Sequence, residues 1–184
     1  MDHELSTLKQ ARTWETVPRP KDKNVVNCKW VYWTKYKSDG AVDKHKVRLV
    51  ARGFTQVYGV DYLETYSPVA KLASLQTILA LAARLGWDII CFDFNAAYLN
   101  GELEESEEIY MEQALGYAEG RAGFIKRLKK ALYRLKQVGR RWYDTFAQEL
   151  ADLRFYPSAA DPGVFSLGSA ITSSSCQYMW MTAP

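Results

Sequence analysis

The sequence predicts a mixed α+β domain, and three features predict it. Two extended stretches rich in Trp, Tyr and Val, 28–37 and 42–52, flank a Ser-Asp-Gly turn, which is the pattern of a β-hairpin. Two other stretches carry apolar residues at helical spacing, one beginning near Ser74 and one near Gln137. Between them, the apolar run 89–92 has the length of a buried strand and is too short for an independent helix. Strand and helix segments in this order are typical of the α+β class.

Composition favours a folded intracellular protein. The 184 residues are 48% hydrophobic and 14% aromatic, which argues against disorder, and a net charge of +3 is too small to select a partner by itself. The three cysteines, Cys28, Cys91 and Cys176, match neither a disulfide framework nor a zinc ligand set, which favours a reducing compartment. No apolar run approaches the ~20 residues that span a bilayer, and the polar N-terminus lacks a signal-peptide core, so no membrane partner is expected.

The N-terminal region, 1–23, is predicted to be a short helix over 1–12 followed by a proline-containing linker over 17–23. The hairpin follows, and its second strand has two unlike faces. One face is apolar and carries Val47, Leu49 and Ala51. The other face is basic and carries Lys44, Lys46, Arg48 and Arg52. The basic face is either an ordinary solvated strand surface or a plate that meets phosphates, and the strand alone leaves both interpretations open.

The first long helix is predicted to begin at Ser74, as its cap, and to stop at Gly86. Its core-facing positions are Leu75, Ile78, Leu79, Ala82 and Leu85. In the next run, 87–103, one acid, Asp93, stands at the end of the short strand. A carboxylate there is costly to bury unless it is paired, hydrogen-bonded or bound to a metal, so Asp93 is a site candidate. The alternative, favoured by this stretch alone, is that Asp93 caps the following turn.

Two charged stretches of opposite sign come next. The acidic stretch 102–108 is interpreted as a solvated run without a catalytic role. Between 126 and 141, eight Lys and Arg side chains alternate with leucines and Tyr133, and a helix begins at the end of this stretch. Alternating basic and aromatic side chains suit a polyanion, and a helix N-terminus attracts phosphate through its free N–H groups. The alternative is a basic, solvated helix start.

Six blocks follow one another along the chain from about Trp14 to Phe165. They are TWETVPRP, KWVYWTKYKSDG, KVRLVARGFTQVYGVDYLETYSPVAK, FDFNAAYLNGEL, ALYRLKQVGRRWY and DPGVF. Together they resemble the reverse transcriptase of copia-type long-terminal-repeat retrotransposons. The resemblance implies the fingers and partial palm of a right-hand polymerase over residues 24–165, with an antiparallel palm sheet that is incomplete at the C-terminus.

The same resemblance implies a reaction and partners. The reaction is template-directed addition of deoxynucleotides to a primer 3′ end. The partners are an RNA template, a DNA primer and deoxynucleoside triphosphates, and the family works in a cytoplasmic virus-like particle or the nucleus. Asp93 corresponds to the first metal-binding aspartate, and the carbonyl of Phe94 is expected to add a ligand. Phosphoryl transfer uses two divalent ions, Mg²⁺ or Mn²⁺, about 3.5–4 Å apart, which several acids must hold.

Further residues correspond to nucleotide and nucleic-acid contacts of the family. Tyr98 corresponds to the aromatic steric gate under the incoming sugar, and Lys46 and Arg48 correspond to fingers residues on the triphosphate. Gln137 corresponds to the glutamine near the incoming nucleotide and the template base. Nucleic-acid contacts are expected from other cations of the hairpin and of the basic segment, namely Lys44, Arg52, Lys129, Lys130, Arg140 and Arg141.

Three positions depart from the family pattern. Arg134 stands where Gly is usual, Val138 where Ala or Ser is usual, and Gly139 where Pro is usual. Gly139 is expected to loosen the start of the helix, and Arg134 fills a position normally left small.

The larger departure is the segment 166–184, SLGSAITSSSCQYMWMTAP, which contains no acid. The family continues here with a hydrophobic strand and a Tyr-Val-Asp-Asp turn that supplies the remaining catalytic acids. Met and Trp have single codons, so residues 179–182 are encoded ATG TGG ATG ACN. Starting at the last base of the Tyr178 codon, this gives Tyr/His-Val-Asp-Asp. We hypothesise a frameshift between about 165 and 175 that leaves 166–184 as a disordered tail; the alternative is chance overlap.

The sequence leaves three hypotheses about function. The first is an inactive reverse transcriptase fragment, because one acid cannot hold two metals; loss of the palm hairpin would also expose apolar surface and unpaired strand edges. The second is a nucleic-acid-binding module that uses the basic hairpin and 126–141 without chemistry. Its binding would weaken steeply with salt and ignore Asp93→Ala. The third is that the chain is not made as a stable protein.

Overall fold

The computed structural model describes residues 1–91, 93–94, 96–167 and 178–180, and it has the predicted α+β character. Its helices are α1 (Asp2–Gln10), α2 (Leu72–Leu85) and α3 (Val138–Asp152). Its strands are β1 (Trp14–Pro18), β2 (Val25–Val26), β3 (Cys28–Tyr36), β4 (Val42–Ala51), β5 (Tyr110–Met111), β6 (Phe124–Leu128), β7 (Phe155–Pro157), β8 (Val164–Leu167) and β9 (Tyr178–Trp180). Within these ranges, no helix combines the length and apolarity needed to cross a bilayer.

The predicted hairpin is confirmed as the antiparallel pair of β3 and β4. Its turn contains Gly40 at φ +84°, a conformation that glycine adopts without strain. At the base of the hairpin, Leu49, Val50 and Ala51 are all buried. Val50 alternates with Leu49 and therefore lies on the face predicted to be basic. The division into an apolar and a basic face thus holds only for the outer part of the hairpin.

A four-stranded sheet in the order β1-β6-β5-β2 forms the floor of the domain. The β2–β5 pair is parallel and the other pairs are antiparallel. The predicted linker was wrong at its start, because Val17 and Pro18 belong to β1 and pair with Ile125 and Phe124. Pro18 is the last residue of the strand, where the missing N–H costs least.

Two apolar clusters stabilise the domain. The predicted N-terminal helix is confirmed as α1, and it buries Leu5 and Leu8 against the hairpin base and the floor sheet. The first cluster also contains Val26, Leu49, Leu99, Ile109, Met111, Leu128, Leu132 and Leu135. The second cluster packs around α3 and contains Ala97, Trp142, Tyr143, Phe146, Leu150 and Phe165.

The helix α2 begins before the predicted residue and buries fewer of its apolar side chains than predicted. Lys71 is its N-cap, and Gly86 at φ +70° ends it, as the sequence indicated. The predicted cap by Ser74 is wrong, since the carboxylate of Asp161 lies at this end and accepts a hydrogen bond from the Lys71 N–H at 2.8 Å. Ala82 is the buried residue of the helix, whereas Leu85 is 53% exposed.

The strand predicted over 89–92 is absent from the described part of this run, which has no regular secondary structure up to Phe94. Ile90 is 80% exposed and Ile89 is also exposed. A strand requires a neighbour that accepts its hydrogen bonds, and the described strands all pair elsewhere. In the described part of the chain, exposed apolar side chains are therefore present at Ile89, Ile90 and Phe94 and along α2.

The prediction of a disordered tail over 166–184 is wrong for the described part of that segment. Ser166 and Leu167 complete β8, and Tyr178–Trp180 forms β9 beside it, in the sheet order β7-β8-β9. Pairing with β8 gives β9 a ladder of backbone hydrogen bonds. The other residues of the tail, and with them the hypothesised frame change, lie outside the described residues.

Candidate nucleotide and nucleic-acid site

Three aromatic and basic side chains from separate sequence blocks meet beside the hairpin. The guanidinium carbon of Arg48 lies 4.5 Å from the centroid of the Tyr133 ring. The Tyr133 ring in turn meets the Tyr98 ring edge to face, with centroids 5.9 Å apart and planes at 80°. The two predicted nucleotide contacts, Arg48 and Tyr98, are thus brought together through a residue that the sequence analysis gave no site role.

The backbone around Tyr133 explains how this arrangement is held. The Tyr133 carbonyl accepts a hydrogen bond from the Ala51 N–H at 3.0 Å, which fixes it beside the end of β4. The next residue, Arg134, has a left-handed φ of +68°. That conformation accounts for the glycine that the family usually has there, because glycine adopts it without a steric penalty.

Arg48 is the cation of this cluster, and its charge acts on the carboxylate of Glu4. Burial raises the pKa of both the Tyr98 and the Tyr133 phenols, so both rings are neutral at neutral pH. Burial also raises the pKa of Glu4, whose carboxylate accepts a hydrogen bond from the Leu49 N–H at 3.4 Å. Among the described residues, no carboxylate forms an ion pair with Arg48.

The outer hairpin presents cations around an exposed aromatic ring. Trp33 pairs with Lys46 across the strands and is 69% exposed. Lys35 pairs with Lys44 one step further out, on the same face. In the described part of the chain, none of these lysines forms an ion pair, and Arg52 is exposed at the base of β4. This surface is basic and exposed, and its use as a plate for phosphates stays a prediction.

Among the described residues, the predicted metal ligands have no further acids grouped with them as a metal site. Asp93 is exposed, and the ring of Phe94 packs edge to face on Trp142 and Phe146, at 5.2 and 5.5 Å between centroids. Among the described residues, no three acidic, His or Cys side chains are grouped closely enough to hold a metal ion. One exposed carboxylate does not fit a two-metal centre, so we derive no catalytic step through metal ions.

The predicted nucleotide contact by Gln137 does not fit the structure. Its side chain is fully buried, and its amide oxygen accepts a hydrogen bond from Gln56 Nε2 at 3.1 Å. Its amide nitrogen donates to the Asp61 carbonyl at 3.0 Å and to Glu107 Oε1 at 3.2 Å. Because every polar atom of the amide is occupied inside the protein, Gln137 anchors the start of α3 and does not face a ligand.

The predicted nucleic-acid contact by Arg141 is also wrong. Arg141 is buried, with its Nε 2.8 Å from Glu107 Oε2 but not aligned for a hydrogen bond, and its Nη1 donates to Glu104 and Asp144. The hydrogen bond from Arg141 lowers the pKa of Glu104. The stretch 102–108 is therefore not simply solvated, because Glu107 is buried and binds both Arg141 and Gln137.

Most of the basic segment 126–141 is already neutralised. Lys126 is buried and pairs with Glu119, and Lys129 pairs with Glu15 at 2.8 Å. Arg140 is half-buried and binds Asp144 at 3.0 Å. Lys130 is half-buried and forms no ion pair with described residues. Among the described residues, the basic side chains of this segment that form no ion pair are Lys130, Arg134 and Lys136, beside those of the hairpin.

Sequence reasoning also missed the roles of the motif residues Gln56, Asp61 and Asp161. Gln56 Oε1 accepts from the Lys136 N–H at 2.7 Å, and Asp61 Oδ2 accepts from the Val57 N–H at 2.7 Å. These buried polar groups join the loop 53–62 to the start of α3. In the sequence, these residues stand out only as members of the family-like motifs. A hydrogen-bond partner on a distant segment cannot be found from local patterns.

Comparisons with known proteins agree with the motifs. Residues 11–173 match the family described as reverse transcriptase (RNA-dependent DNA polymerase). The chain is 38% identical over 169 residues, 91% of its length, to the retrovirus-related Pol polyprotein from transposon RE1 of Arabidopsis thaliana. It is 39% identical over 166 residues to the Pol polyprotein from transposon TNT 1-94 of Nicotiana tabacum.

A shorter relative matches more closely over part of the chain. It is an uncharacterized mitochondrial protein of Arabidopsis thaliana, 48% identical over 85 residues, which are 46% of this chain and 50% of that protein. The chain spans only 11% and 12% of the two Pol polyproteins. No solved structure matches significantly.

Proposed function

Because the chain belongs to the reverse transcriptase (RNA-dependent DNA polymerase) family, we propose that it is the nucleotide-binding and nucleic-acid-binding part of a copia-type polymerase in which catalysis is incomplete. The observation that carries the proposal is the convergence of Arg48 and Tyr98 on Tyr133. Three motifs far apart in the sequence supply these residues.

The chemistry of this cluster suits a deoxynucleoside triphosphate. A guanidinium binds phosphate oxygens through two parallel hydrogen bonds, and Arg48 has no competing carboxylate among the described ion pairs. The neutral ring of Tyr98 provides an apolar surface for the sugar. The outer lysines Lys44 and Lys46, with Trp33, provide a charged and stacking surface for an RNA template and a DNA primer.

Catalysis is proposed to fail at the metal centre. Bound Mg²⁺ or Mn²⁺ would activate the primer 3′ oxygen and stabilise the leaving pyrophosphate. Asp93 is exposed, and among the described residues no other acids group with it into a metal-binding cluster. Residues 162–184 contain no Asp or Glu, so they do not supply the Asp-Asp pair that would complete the centre.

The codons support a frameshift as the cause. Whatever codons encode Ser175 and Cys176, the shifted frame gives Leu, Met or Val across their junction, and it gives Ile or Val across Gln177 and Tyr178. The codon between these two, across Cys176 and Gln177, gives Ser or Pro, so two apolar residues separated by one Ser or Pro precede Tyr/His-Val-Asp-Asp in that frame, where the family has a hydrophobic strand. The family match extends to residue 173, which supports a change of frame near the end of the hypothesised interval.

Primer extension tests the proposed loss of catalysis. The purified chain is given an RNA template, a DNA primer, all four deoxynucleotides and Mg²⁺ or Mn²⁺, with Asp93→Ala as the matched variant. We expect no extended primer from either protein. Product that disappears with Asp93→Ala would overturn the proposed inactivity, and the nucleotide sequence after codon 165 would show whether the frame changes.

A second candidate function is nucleic-acid binding without nucleotide selection, and the exposed Trp33 among unpaired lysines favours it. It predicts binding of an RNA–DNA duplex that weakens steeply with salt and is unchanged by Asp93→Ala and by Tyr98→Ala. Binding of a deoxynucleoside triphosphate that Arg48→Ala abolishes would favour the first candidate.

A further inference from the structure

One aromatic ring contacts both proposed nucleotide contacts. The face of Tyr133 holds the Arg48 guanidinium at 4.5 Å, and its ring meets Tyr98 at 80° and 5.9 Å between centroids. Tyr98 packs against the cluster around α3, while Tyr133 packs against the cluster below the hairpin. The Tyr133–Tyr98 contact is therefore the junction between the fingers side and the α3 side of the domain.

The ring is held rigidly relative to β4, which carries Arg48. The Tyr133 carbonyl accepts from the Ala51 N–H at 3.0 Å, three residues along the strand from Arg48. Leu132 and Leu135 on either side are buried in the core. Because its backbone is anchored in this way, Tyr133 keeps its ring at a defined distance from the strand. The ring therefore limits the position of the Arg48 guanidinium.

The cation–π contact with the Tyr133 ring is strong enough to orient the Arg48 guanidinium and weak enough for a phosphate contact to replace it. A cation over a neutral ring is attracted by the ring quadrupole, whereas a phosphate offers charge-assisted, bidentate hydrogen bonds. Without a ligand, the Tyr133 ring therefore keeps the Arg48 guanidinium oriented for phosphate binding. No described carboxylate lies within ion-pair distance of it, although its charge acts on Glu4 at longer range.

We propose that Tyr133 is a positioning residue for the incoming nucleotide. It sets the distance between Arg48, at the triphosphate, and Tyr98, at the sugar, and thereby controls discrimination between deoxyribose and ribose. This inference rests on the proposed function, since it takes Arg48 and Tyr98 as the two nucleotide contacts. Tyr133 itself acts through these neighbours and touches neither end of the nucleotide.

The test uses the complete 184-residue chain and measures the binding of dGTP and of GTP by calorimetry. The variants are Tyr133→Leu, which removes the ring, and Tyr133→Phe, which keeps it, with Arg48→Ala and Tyr98→Ala as references. We expect Tyr133→Leu to weaken dGTP binding about tenfold, the scale of a lost cation–π contact together with misplacement of Arg48. It should also reduce the ratio of dGTP to GTP affinity, whereas Tyr133→Phe should preserve both.

The outcomes separate this inference from the function on which it rests. If Arg48→Ala and Tyr98→Ala weaken dGTP binding but Tyr133→Leu does not, the positioning role is overturned and the proposed function stands. If the unaltered chain does not bind dGTP, or binds it regardless of Arg48 and Tyr98, the proposed function is overturned and this inference with it. Tyr133→Met replaces Tyr133→Leu if the latter does not fold, since it keeps much of the volume without a ring face. A change in thermal unfolding with an unchanged affinity ratio would show a purely structural role and overturn the proposal.

Discussion

The carbonyl oxygen of Arg134 approaches Gly53 so closely that a Cβ at position 53 would lie 2.0 Å from it. The two residues belong to separate motifs, and their contact presses the loop after β4 against the segment that leads to α3. Arg134 itself has a left-handed φ of +68°. At this point, a glycine that the close backbone contact requires, Gly53, therefore meets a residue with a left-handed backbone conformation, Arg134.

Two substitutions at this point should act in opposite directions. Gly53→Ala should destabilise the protein by about 3 kcal/mol, because a backbone carbonyl cannot move aside as a side chain can. Arg134→Gly should stabilise it by about 1 kcal/mol by removing the left-handed penalty of an L-residue. Urea unfolding at a constant m-value measures both. The control is Gly116→Ala, which meets no atom within 4 Å and carries only the cost of its φ of +83°.

Asp161 should make stability depend on acid pH. Hydrogen bonds from the Ser74 hydroxyl and from the Lys71 and Gly163 N–H groups lower the pKa of Asp161 below its ordinary value of 3.8. Since the folded pKa is lower than the unfolded pKa, the stabilisation is fully present above pH ~4 and is lost as the pH falls through the folded pKa. Asp161→Asn should therefore cost about 1–2 kcal/mol at pH 7 and less at pH ~2. Equal losses at the two pH values would contradict this account.

Exposed and paired lysines should differ in nucleic-acid binding. Lys46 lies opposite Trp33 and forms no ion pair with any described residue, whereas Lys129 is exposed but bound to Glu15 at 2.8 Å. Lys46→Ala should weaken binding of an RNA–DNA duplex and reduce the salt slope by about 1, because one phosphate contact is lost. Lys129→Ala should leave both nearly unchanged. Fluorescence anisotropy over a range of salt concentrations measures them, and the reverse ranking would move the interface away from the hairpin.

Arg141 should matter for folding and not for RNA. Replacing it by Leu leaves Glu107 buried without its cation, which should cost about 3 kcal/mol in the free energy of unfolding. The additional change Glu107→Gln should recover part of this loss, because it removes the unpaired charge. Chemical denaturation of the two single variants and the double variant measures the coupling. A folded Arg141→Leu variant that loses duplex binding would restore Arg141 as a contact.

The exposed apolar side chains of Ile89, Ile90, Phe94 and α2 should make the chain self-associate. Ile90 is 80% exposed, so Ile90→Lys should reduce aggregation while changing the free energy of unfolding by less than about 0.5 kcal/mol. Light scattering against protein concentration measures the first effect and urea unfolding the second. The matched control is Ile125→Lys in the floor sheet, where the side chain is 1% exposed and the change should prevent folding.

The sequence predicted elements whose signals are local. The hairpin follows from its turn and its β-branched and aromatic strands, and the end of α2 follows from Gly86, so both appear where expected. The strand before Asp93 did not form, because a strand depends on a neighbour that local patterns do not reveal. The floor strand β1 was missed for the same reason, since its partner β6 is far along the chain.

The structure bears differently on the individual predicted site residues. Arg48 and Tyr98 stay predictions as nucleotide contacts, and the structure brings them to one ring. Gln137 and Arg141 were misassigned because their sequence context shows a polar and a basic side chain, whereas burial among Asp61, Glu107 and Asp144 gives them structural roles. Polarity in a sequence does not distinguish a ligand contact from an internal hydrogen bond.

The floor sheet has a consequence for how the chain acquires its structure. Trp14 in β1 pairs with Leu128 in β6, so the sheet closes only after residue 128 has been synthesised. The hairpin can form early during synthesis, because its contacts are local, whereas α1 packs on the hairpin base and the floor sheet and β1 needs β6, so both depend on segments that are made later. Long-range closure of this kind slows folding. Translation that stops before residue 128 would therefore release a chain with an open strand edge and no floor.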